Sequence, residues 1–330
     1  MDEIKSKIDT VLKEKITDAD SVKELSNQII KGAESGLEIN NSFEDWFENR
    51  FKYQFVWLDK DDYSRALVRA LWLAPVFAGT DFGASRQRDM AQVWTDTARG
   101  FLGEIVFSKF LKQKFGIDTK FDTRRGSIDK FLPSDINKIK LPNESWIQPK
   151  INISIKTTKF NGRWLDVPGA QYNYSDVFIL IKLGISRGHF LAFLKAISFL
   201  KDKLFPLGKN LKELDDVSSK ELWEEIPEFE PIPSYIAGFI DKRKINLPIH
   251  YLEVRKKGLK NLCLSISQGI GIFTPDNIRN HQTVKGIDPE GKLRIEIEPI
   301  IESFTGQKFF AHSGGLYYGK EKWQELIDTF

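Results

Sequence analysis

The stretch INISIK, residues 151–156, decides the fold because apolar and polar residues alternate strictly along it. In a pleated strand, alternate side chains lie on the same face. The three isoleucines therefore face a core, while Asn152, Ser154 and Lys156 lie together on the opposite face. This arrangement projects the Lys156 ammonium into a cleft. The alternative is a lysine that merely leaves the edge of the sheet.

Helical and strand-like patterns flank this stretch. Residues 86–116 have the apolar spacing of a long helix, and Gly116 is a suitable C-cap. Residues 176–183 and 189–196 form continuous apolar runs, which we interpret as two buried strands. A long helix followed by one alternating strand and two buried strands predicts an α/β core.

The chain divides into three segments. Residues 1–84 have helical periodicity and predict a helical N-terminal lobe, in which Asp20 and Ser21 could cap a helix. Residues 85–200 carry the α/β core. Residues 201–330 form a mixed C-terminal segment, with strands expected at 262–272 and 293–297 and a helix at 320–330. Three closely spaced prolines indicate a boundary or linker within it: Pro227, Pro231 and Pro233.

Composition narrows the class of protein. With 330 residues, 41% of them hydrophobic, the chain has the make-up of an ordered globular protein. A single cysteine excludes an internal disulfide, and neither a signal peptide nor a membrane-spanning run is present. We therefore expect a cytoplasmic protein that does not bind a membrane. A net charge of +3 is too small to indicate a nucleic-acid partner by itself, and the sequence has no motif for an organic cofactor.

Glu104 lies on an apolar face of the predicted long helix, among Phe101, Phe107 and Leu111. A carboxylate in such a position must be paired, hydrogen-bonded or bound to a cation, because burying it alone costs several kcal/mol. A cation-binding role is one interpretation of Glu104. A plain ion pair, for example with an arginine of residues 86–99, is the other.

Asp135 precedes Lys156 by 21 residues, a gap that suits a hairpin-like connection. Two carboxylates and an ammonium group that converge at the end of a sheet form a site for a hard divalent cation beside a positive charge. Such a site fits phosphodiester hydrolysis, since the metal polarises the phosphate and the lysine orients or deprotonates the attacking water.

Glu104 on a helix, then Pro133-Ser134-Asp135, then Ser154-Ile155-Lys156, resembles the PD-(D/E)xK nuclease superfamily and its type II restriction endonucleases. The resemblance covers about a quarter of the chain. It implies a restriction-endonuclease-like core, a mixed central sheet flanked by helices. It also implies Mg²⁺, or Mn²⁺ in its place, held by Glu104, Asp135 and the Ile155 carbonyl, with Lys156 as the catalytic lysine.

The sequence departs from the family pattern at two positions. Ser134 is inserted between the proline and Asp135, and Ser154 stands in the catalytic motif where the family usually has an acid. Glu104 is the first candidate for the missing ligand, and Asp166 and Gln171 are later candidates. Asp129 is the alternative to Asp135, because Ser127-Ile128-Asp129 also resembles the start of a strand.

Polar and basic residues follow the catalytic strand. Thr157, Thr158, Lys159 and Arg163 are candidates for contacts with DNA phosphates, and a solvated loop is the alternative. Arg124 and Arg125 are further candidates for backbone contacts, although a basic run is often plain surface.

These residues together predict a type II-like restriction endonuclease that cleaves specific double-stranded DNA. Cleavage of both strands at a symmetric site favours a homodimer, and residues 201–330 are expected to serve DNA recognition or dimerisation. A DNA repair or junction-resolving nuclease is one alternative. A non-catalytic DNA-binding protein on a nuclease fold, with Ser154 as the sign of lost activity, is another.

Overall fold

The computed structural model describes residues 2–39, 42–77, 88–121, 134–244, 263–264, 270–273, 295–296 and 308–330. The helices are α1 (Asp2–Leu12), α2 (Ala19–Ser35), α3 (Phe43–Asp45), α4 (Lys60–Phe77), α5 (Met90–Phe115), α6 (Gly169–Tyr174), α7 (His189–Ala196), α8 (Phe205–Asn210), α9 (Asp216–Glu225) and α10 (Gly319–Ile327). Two π-helical segments, Trp46–Lys52 and Leu200–Leu204, follow α3 and precede α8.

The strands are β1 (Phe55–Leu58), β2 (Asp118–Phe121), β3 (Ile136–Lys140), β4 (Trp146–Ile147), β5 (Ile153–Lys159), β6 (Trp164–Pro168), β7 (Val177–Leu183), β8 (Ile232–Asp241), β9 (Cys263–Leu264), β10 (Ile270–Phe273), β11 (Ile295–Glu296) and β12 (Lys308–His312). Four of them form a mixed sheet in the order β1-β8-β7-β5, in which β5 and β7 are parallel and the other pairs antiparallel. β6 and α6 lie in the crossover from β5 to β7.

Both faces of the central sheet are covered. On β7, Val177, Ile179 and Ile181 belong to a core formed with α4, α5 and α10. Phe178 and Leu180 belong to a second core, formed with α1, α2, the first π-helical segment, β6 and β12. This two-sided burial explains why the run is continuously apolar rather than alternating. The chain is therefore a mixed α/β protein with helices on both sides of the sheet.

The predicted long helix is confirmed as α5. Asp89 caps its start by accepting a hydrogen bond from the Gln92 amide, and Gly116 ends it in the left-handed conformation with φ of 70°. Gly103 lies where α5 crosses β5, and a Cβ atom there would come within 2.0 Å of Thr157 Cγ2. The glycine thus lets the helix lie close to the strand that carries Lys156.

The prediction for the cap of α2 is wrong by two residues. The helix begins at Ala19, and the Asp18 carboxylate accepts a hydrogen bond from the Ser21 amide. Asp20 lies in the first turn and is exposed. A run of polar residues that can each cap a helix does not by itself show which of them has the extended backbone that a cap requires.

The predicted strand at 189–196 is wrong, because these residues form α7. His189, Ala192 and Phe193 are buried, with the three- and four-residue spacing of one helix face. Leu191, on the other face of α7, is 45% exposed. A short apolar run does not distinguish a buried strand from a helix, and here the packing of one face decided the outcome.

The predicted linker around the three prolines is also wrong in part. Pro233 lies within β8, all of whose residues are buried and which pairs with β7 on one side and β1 on the other. β1 comes from residues 1–84 and β8 from residues 201–330, so the central sheet takes strands from all three predicted segments. The division at residues 84 and 200 stays a prediction.

In the C-terminal part, the predicted helix at 320–330 is confirmed as α10. The structure gives β9, β10 and β11 within or beside the stretches predicted as strands. Among the described helices, none has the length and apolar composition needed to cross a membrane. Arg124, Arg125, Asp129 and Pro133 lie outside the described residues.

Candidate active site

Asp135 lies just before β3 and is hydrogen-bonded to β5 through both its backbone and its side chain. Its amide donates to the Ile153 carbonyl at 2.8 Å, and its Oδ2 accepts from the Ile155 amide at 2.6 Å. The Ser134 hydroxyl supports this join by accepting from the Ile153 amide at 3.1 Å. The hydroxyl of Ser134 therefore helps to hold the Asp135 carboxylate against β5.

Lys156 follows Ile155 on β5, and its Nζ donates a hydrogen bond to Gln171 Oε1 on α6. Burial lowers the pKa of the Lys156 ammonium, while the charges of Asp135 and Asp166 act to raise it. Asp166 is carried by β6, the strand before α6. The fold thus brings Asp166 and Gln171 to Lys156. These are the two later candidates for the metal ligand that Ser154 does not supply.

The pKa of the Asp135 carboxyl is raised by burial, and the charges of Lys156 and Arg69 oppose this effect. A hydrogen bond from the Ile155 amide also favours the ionised form. The carboxyl group of Asp135 and the ammonium group of Lys156 are thus both partly buried, and each acts on the pKa of the other. Groups whose proton affinities are altered in this way are typical of catalytic sites, although structural ion pairs share the feature.

Ser154 and Ile155 lie on opposite faces of β5, as the alternation predicts. Ile155 belongs to the core beneath α5. Ser154 is 2% exposed, and its Oγ has no hydrogen-bond partner among the described residues. A buried serine with an unsatisfied hydroxyl costs stability, so its presence at this position is not explained by packing alone.

Glu104 is paired with an arginine from a different helix. Arg69 on α4 places Nη1 2.8 Å from Glu104 Oε2, and both side chains are largely buried. The Arg69 guanidinium also stacks 3.9 Å from the centre of the Phe101 ring. The ion-pair interpretation of Glu104 therefore describes this arrangement, with Arg69 in place of an arginine from residues 86–99.

Arg69 is a residue of the site that sequence reasoning missed. It contacts Glu104, and its charge opposes the effect of burial, which raises the pKa of the Asp135 carboxyl. No short spacing connects Arg69 to Glu104, 35 residues further on, so the sequence carries no local signal for the pair. The contact arises from the packing of α4 against α5.

The candidate DNA-contacting residues separate into two places. Thr157, Thr158 and Lys159 line a cavity of about 400 Å³ at the end of β5. Arg163 lies just before β6, where its charge contributes to lowering the pKa of His312. The first three residues therefore lie along the strand from Lys156, whereas Arg163 lies beside β12.

A metal centre built from side chains alone is not present in the described part of the chain, where no three His, Cys, Asp or Glu side chains form a group able to hold an ion. Asp135 and Asp166 both act on Lys156, and Arg69, the partner of Glu104, acts on Asp135. Any ion at this site would therefore take part of its ligands from backbone, water or substrate.

No protein-family model, no curated protein and no solved structure matches this chain. Function must therefore be argued from the geometry and chemistry of the site itself.

Proposed function

We propose that this protein is a Mg²⁺-dependent endonuclease of the PD-(D/E)xK superfamily, which cleaves double-stranded DNA in the manner of a type II restriction enzyme. The observation that carries the proposal is the join between Asp135 and β5, in which the carboxylate accepts from the Ile155 amide and the next residue is Lys156. Metal-assisted phosphodiester hydrolysis can use both groups, the acid to hold a metal ion and the lysine to serve the attacking water.

The donors at the site fit Mg²⁺. Asp135 and Asp166 offer carboxylate oxygens and Ile155 a backbone carbonyl, all of them the hard ligands that this ion prefers. Proteins commonly hold Mg²⁺ through one or two carboxylates together with water and substrate phosphate, so a group of three acids is not required. The bound ion would polarise the scissile phosphate and lower the pKa of a water molecule.

Lys156 is suited to two tasks in this reaction. Because burial lowers its pKa, the amine gives up its proton more readily than an exposed lysine and can accept one from the attacking water. In its charged form it stabilises the negative charge that develops on the phosphate. Gln171 accepts a hydrogen bond from Nζ and so orients the amine for either task.

Asp166 is our choice for the acid that Ser154 does not supply. It acts on Lys156 from β6, whereas Glu104 is engaged by Arg69. In this assignment Glu104 holds the arginine whose charge favours the ionised form of Asp135. Glu104 is thus a positioning residue, and direct ligation by Glu104 is the alternative that mutagenesis can separate.

The Glu104–Arg69 pair also supports a second candidate function, a DNA-binding protein on a nuclease fold without catalysis. In such a protein a cation takes the place of the metal beside the acids, as Arg69 does beside Glu104. Calorimetric titration with Mg²⁺ and Mn²⁺ separates the two candidates, because a protein of this kind would bind DNA without binding either ion.

Plasmid cleavage tests the proposal directly. Purified protein is incubated with mixed plasmid and phage DNA in Mg²⁺, in Ca²⁺ and in excess EDTA. We expect discrete fragments in Mg²⁺, DNA binding without cleavage in Ca²⁺, and no cleavage in EDTA. Full cleavage in EDTA, or no cleavage of any DNA in Mg²⁺ or Mn²⁺, would contradict a metal-dependent nuclease.

A further inference from the structure

A two-lobed cavity lies where the parallel strands β5 and β7 end, beside the N-terminal half of α5. Its lobes have volumes of about 280 and 400 Å³, and Arg99, Lys159 and Ile185 line both of them. The crevice beyond the carboxyl ends of parallel strands is where open α/β sheets bind their ligands. The position and size of the cavity therefore suit a small organic ligand.

Positive charge dominates the wall of this cavity. Among the described residues, Arg88, Arg99, Lys159 and Arg187 line it, together with one carboxylate, that of Asp96. Asp96 lies 3.2 Å from Arg88 Nη1 and 3.0 Å from Arg99 Nη1, so it holds both guanidinium groups in place. Four cations against one carboxylate favour an anionic ligand, and guanidinium groups match the geometry of phosphate.

The smaller lobe adds an aromatic wall to this charge. Tyr63 and Phe190 both line it. Tyr63 is held edge-on against Phe193 with ring centroids 5.2 Å apart, and Phe190 against Trp94 at 5.9 Å. Rigid aromatic side chains next to cations are the combination that binds nucleotides, since bases stack on the rings and phosphates contact the cations.

We propose that this cavity binds one unpaired nucleotide of a DNA strand, with its base in the smaller lobe and its phosphate among Arg99, Lys159 and Arg187. The inference rests on the proposed nuclease function. Lys159, the last residue of β5, follows Lys156 by three residues, a span of about 10 Å, and an odd step along a strand places their side chains on opposite faces. The cavity therefore lies on the α5 side of β5, and a DNA strand held at Lys156 would pass the end of β5 to reach it. A base paired within a duplex does not fit a cavity, so the substrate contributes a strand end or a nucleotide turned out of the helix.

Competition binding in EDTA tests this site without interference from cleavage. A dye-labelled single-stranded oligonucleotide is bound to the full-length protein and displaced by dAMP, by deoxyadenosine or by inorganic phosphate. We expect dAMP to compete at least about tenfold better than deoxyadenosine or phosphate, because it alone contacts both the aromatic side chains and the cations. Equal competition by inorganic phosphate and dAMP would show an anion site and overturn the nucleotide proposal.

Variants locate the binding in the cavity. Arg99→Gln and Arg187→Gln should each weaken dAMP binding about tenfold or more, as expected for loss of a hydrogen bond to a charged group. Phe190→Ala should weaken dAMP binding and leave phosphate binding unchanged. Arg65→Gln is the matched control, because Arg65 is exposed on α4 and lines neither lobe. If Arg99→Gln lowers the melting temperature, its weaker binding could reflect a damaged fold. Arg187 is exposed, so dAMP binding by Arg187→Gln then tests the site.

The outcomes separate this site from the nuclease proposal. If dAMP binds as expected but the wild-type protein cleaves no DNA in Mg²⁺, the nuclease proposal fails and the nucleotide site stands. If DNA is cleaved but dAMP does not bind, or if Arg99→Gln and Arg187→Gln bind it like wild type, the nucleotide site is refuted and the nuclease proposal stands.

Discussion

The Ile155 amide nitrogen lies 2.6 Å from Asp135 Oδ2, so the candidate metal-binding carboxylate is hydrogen-bonded to the backbone of the strand that carries Lys156. The positions of Asp135 and Lys156 relative to each other are therefore set by the backbone rather than by a direct contact between their side chains. Replacing either side chain should change the chemistry of the site while the strand stays in place.

The first prediction concerns Lys156. We expect Lys156→Ala to lower the rate of plasmid cleavage by at least about 100-fold, because a single group that transfers a proton or stabilises transition-state charge contributes this much. Asp135→Asn should lower the rate to a similar degree and weaken Mg²⁺ binding as well. Gel shifts in Ca²⁺ should show that both variants still bind DNA. Cleavage by Lys156→Ala at the wild-type rate would remove the lysine from the mechanism.

The second prediction identifies the acid that replaces Ser154. Asp166→Asn should lower cleavage about 100-fold, comparably to Asp135→Asn, because it removes the second charge beside Lys156. Glu104→Gln should lower cleavage by less than about tenfold, since the glutamine keeps its shape and can still accept a hydrogen bond from Arg69. The opposite ranking of the two variants would assign the second carboxylate to Glu104.

The third prediction concerns an ion pair in the second core. Lys182 Nζ and Glu38 Oε1 lie 2.6 Å apart with both side chains fully buried. Burial acts to raise the pKa of Glu38, but the charges of Lys182 and Arg50 hold it below its usual value. Glu38→Gln should therefore destabilise the protein by about 3–5 kcal/mol, because it leaves the lysine charge buried without its counter-ion.

Chemical denaturation measures this cost against an exposed pair. Glu48 and Lys52 lie 3.0 Å apart on the surface, so Glu48→Gln should cost at most about 1 kcal/mol. Adding Lys182→Met to Glu38→Gln should recover part of the lost stability, since no unpaired charge then remains. Equal costs for Glu38→Gln and Glu48→Gln would mean that water reaches the buried pair.

The fourth prediction concerns the start of α2. Hydrogen bonds from Ser21 lower the pKa of Asp18 below its usual value. A lowered folded-state pKa gives stability that is present above the unfolded pKa, near 3.9, and lost as the pH falls through the folded value. Asp18→Ala should cost about 1 kcal/mol at pH 7 and progressively less below about pH 4. Chemical denaturation of Asp18→Ala and Asp20→Ala at pH 7 and below about pH 4 measures these costs. A larger loss of stability for Asp20→Ala than for Asp18→Ala would assign the cap to Asp20.

The sequence by itself determined those helices and strands whose apolar pattern is complete within a few turns or a few residues. The alternation in residues 151–156, the long apolar periodicity of α5 and the glycine that ends it each predict one structure. The same patterns place Lys156 and Ile155 on opposite faces of a strand. These features follow from backbone geometry, so they could be inferred before any contact was known.

Tertiary structure alone decided which distant residues meet. The periodicity of residues 189–196 did not distinguish a strand from the helix α7. The prolines around β8 predicted a linker, whereas the structure has a central strand of the sheet there. The contacts of Lys156 with Gln171 and of Glu104 with Arg69 join side chains that no sequence spacing relates. They form because burying the faces of the sheet requires α4, α5 and α6 to pack where they do, and that packing selects the partners of each charged group.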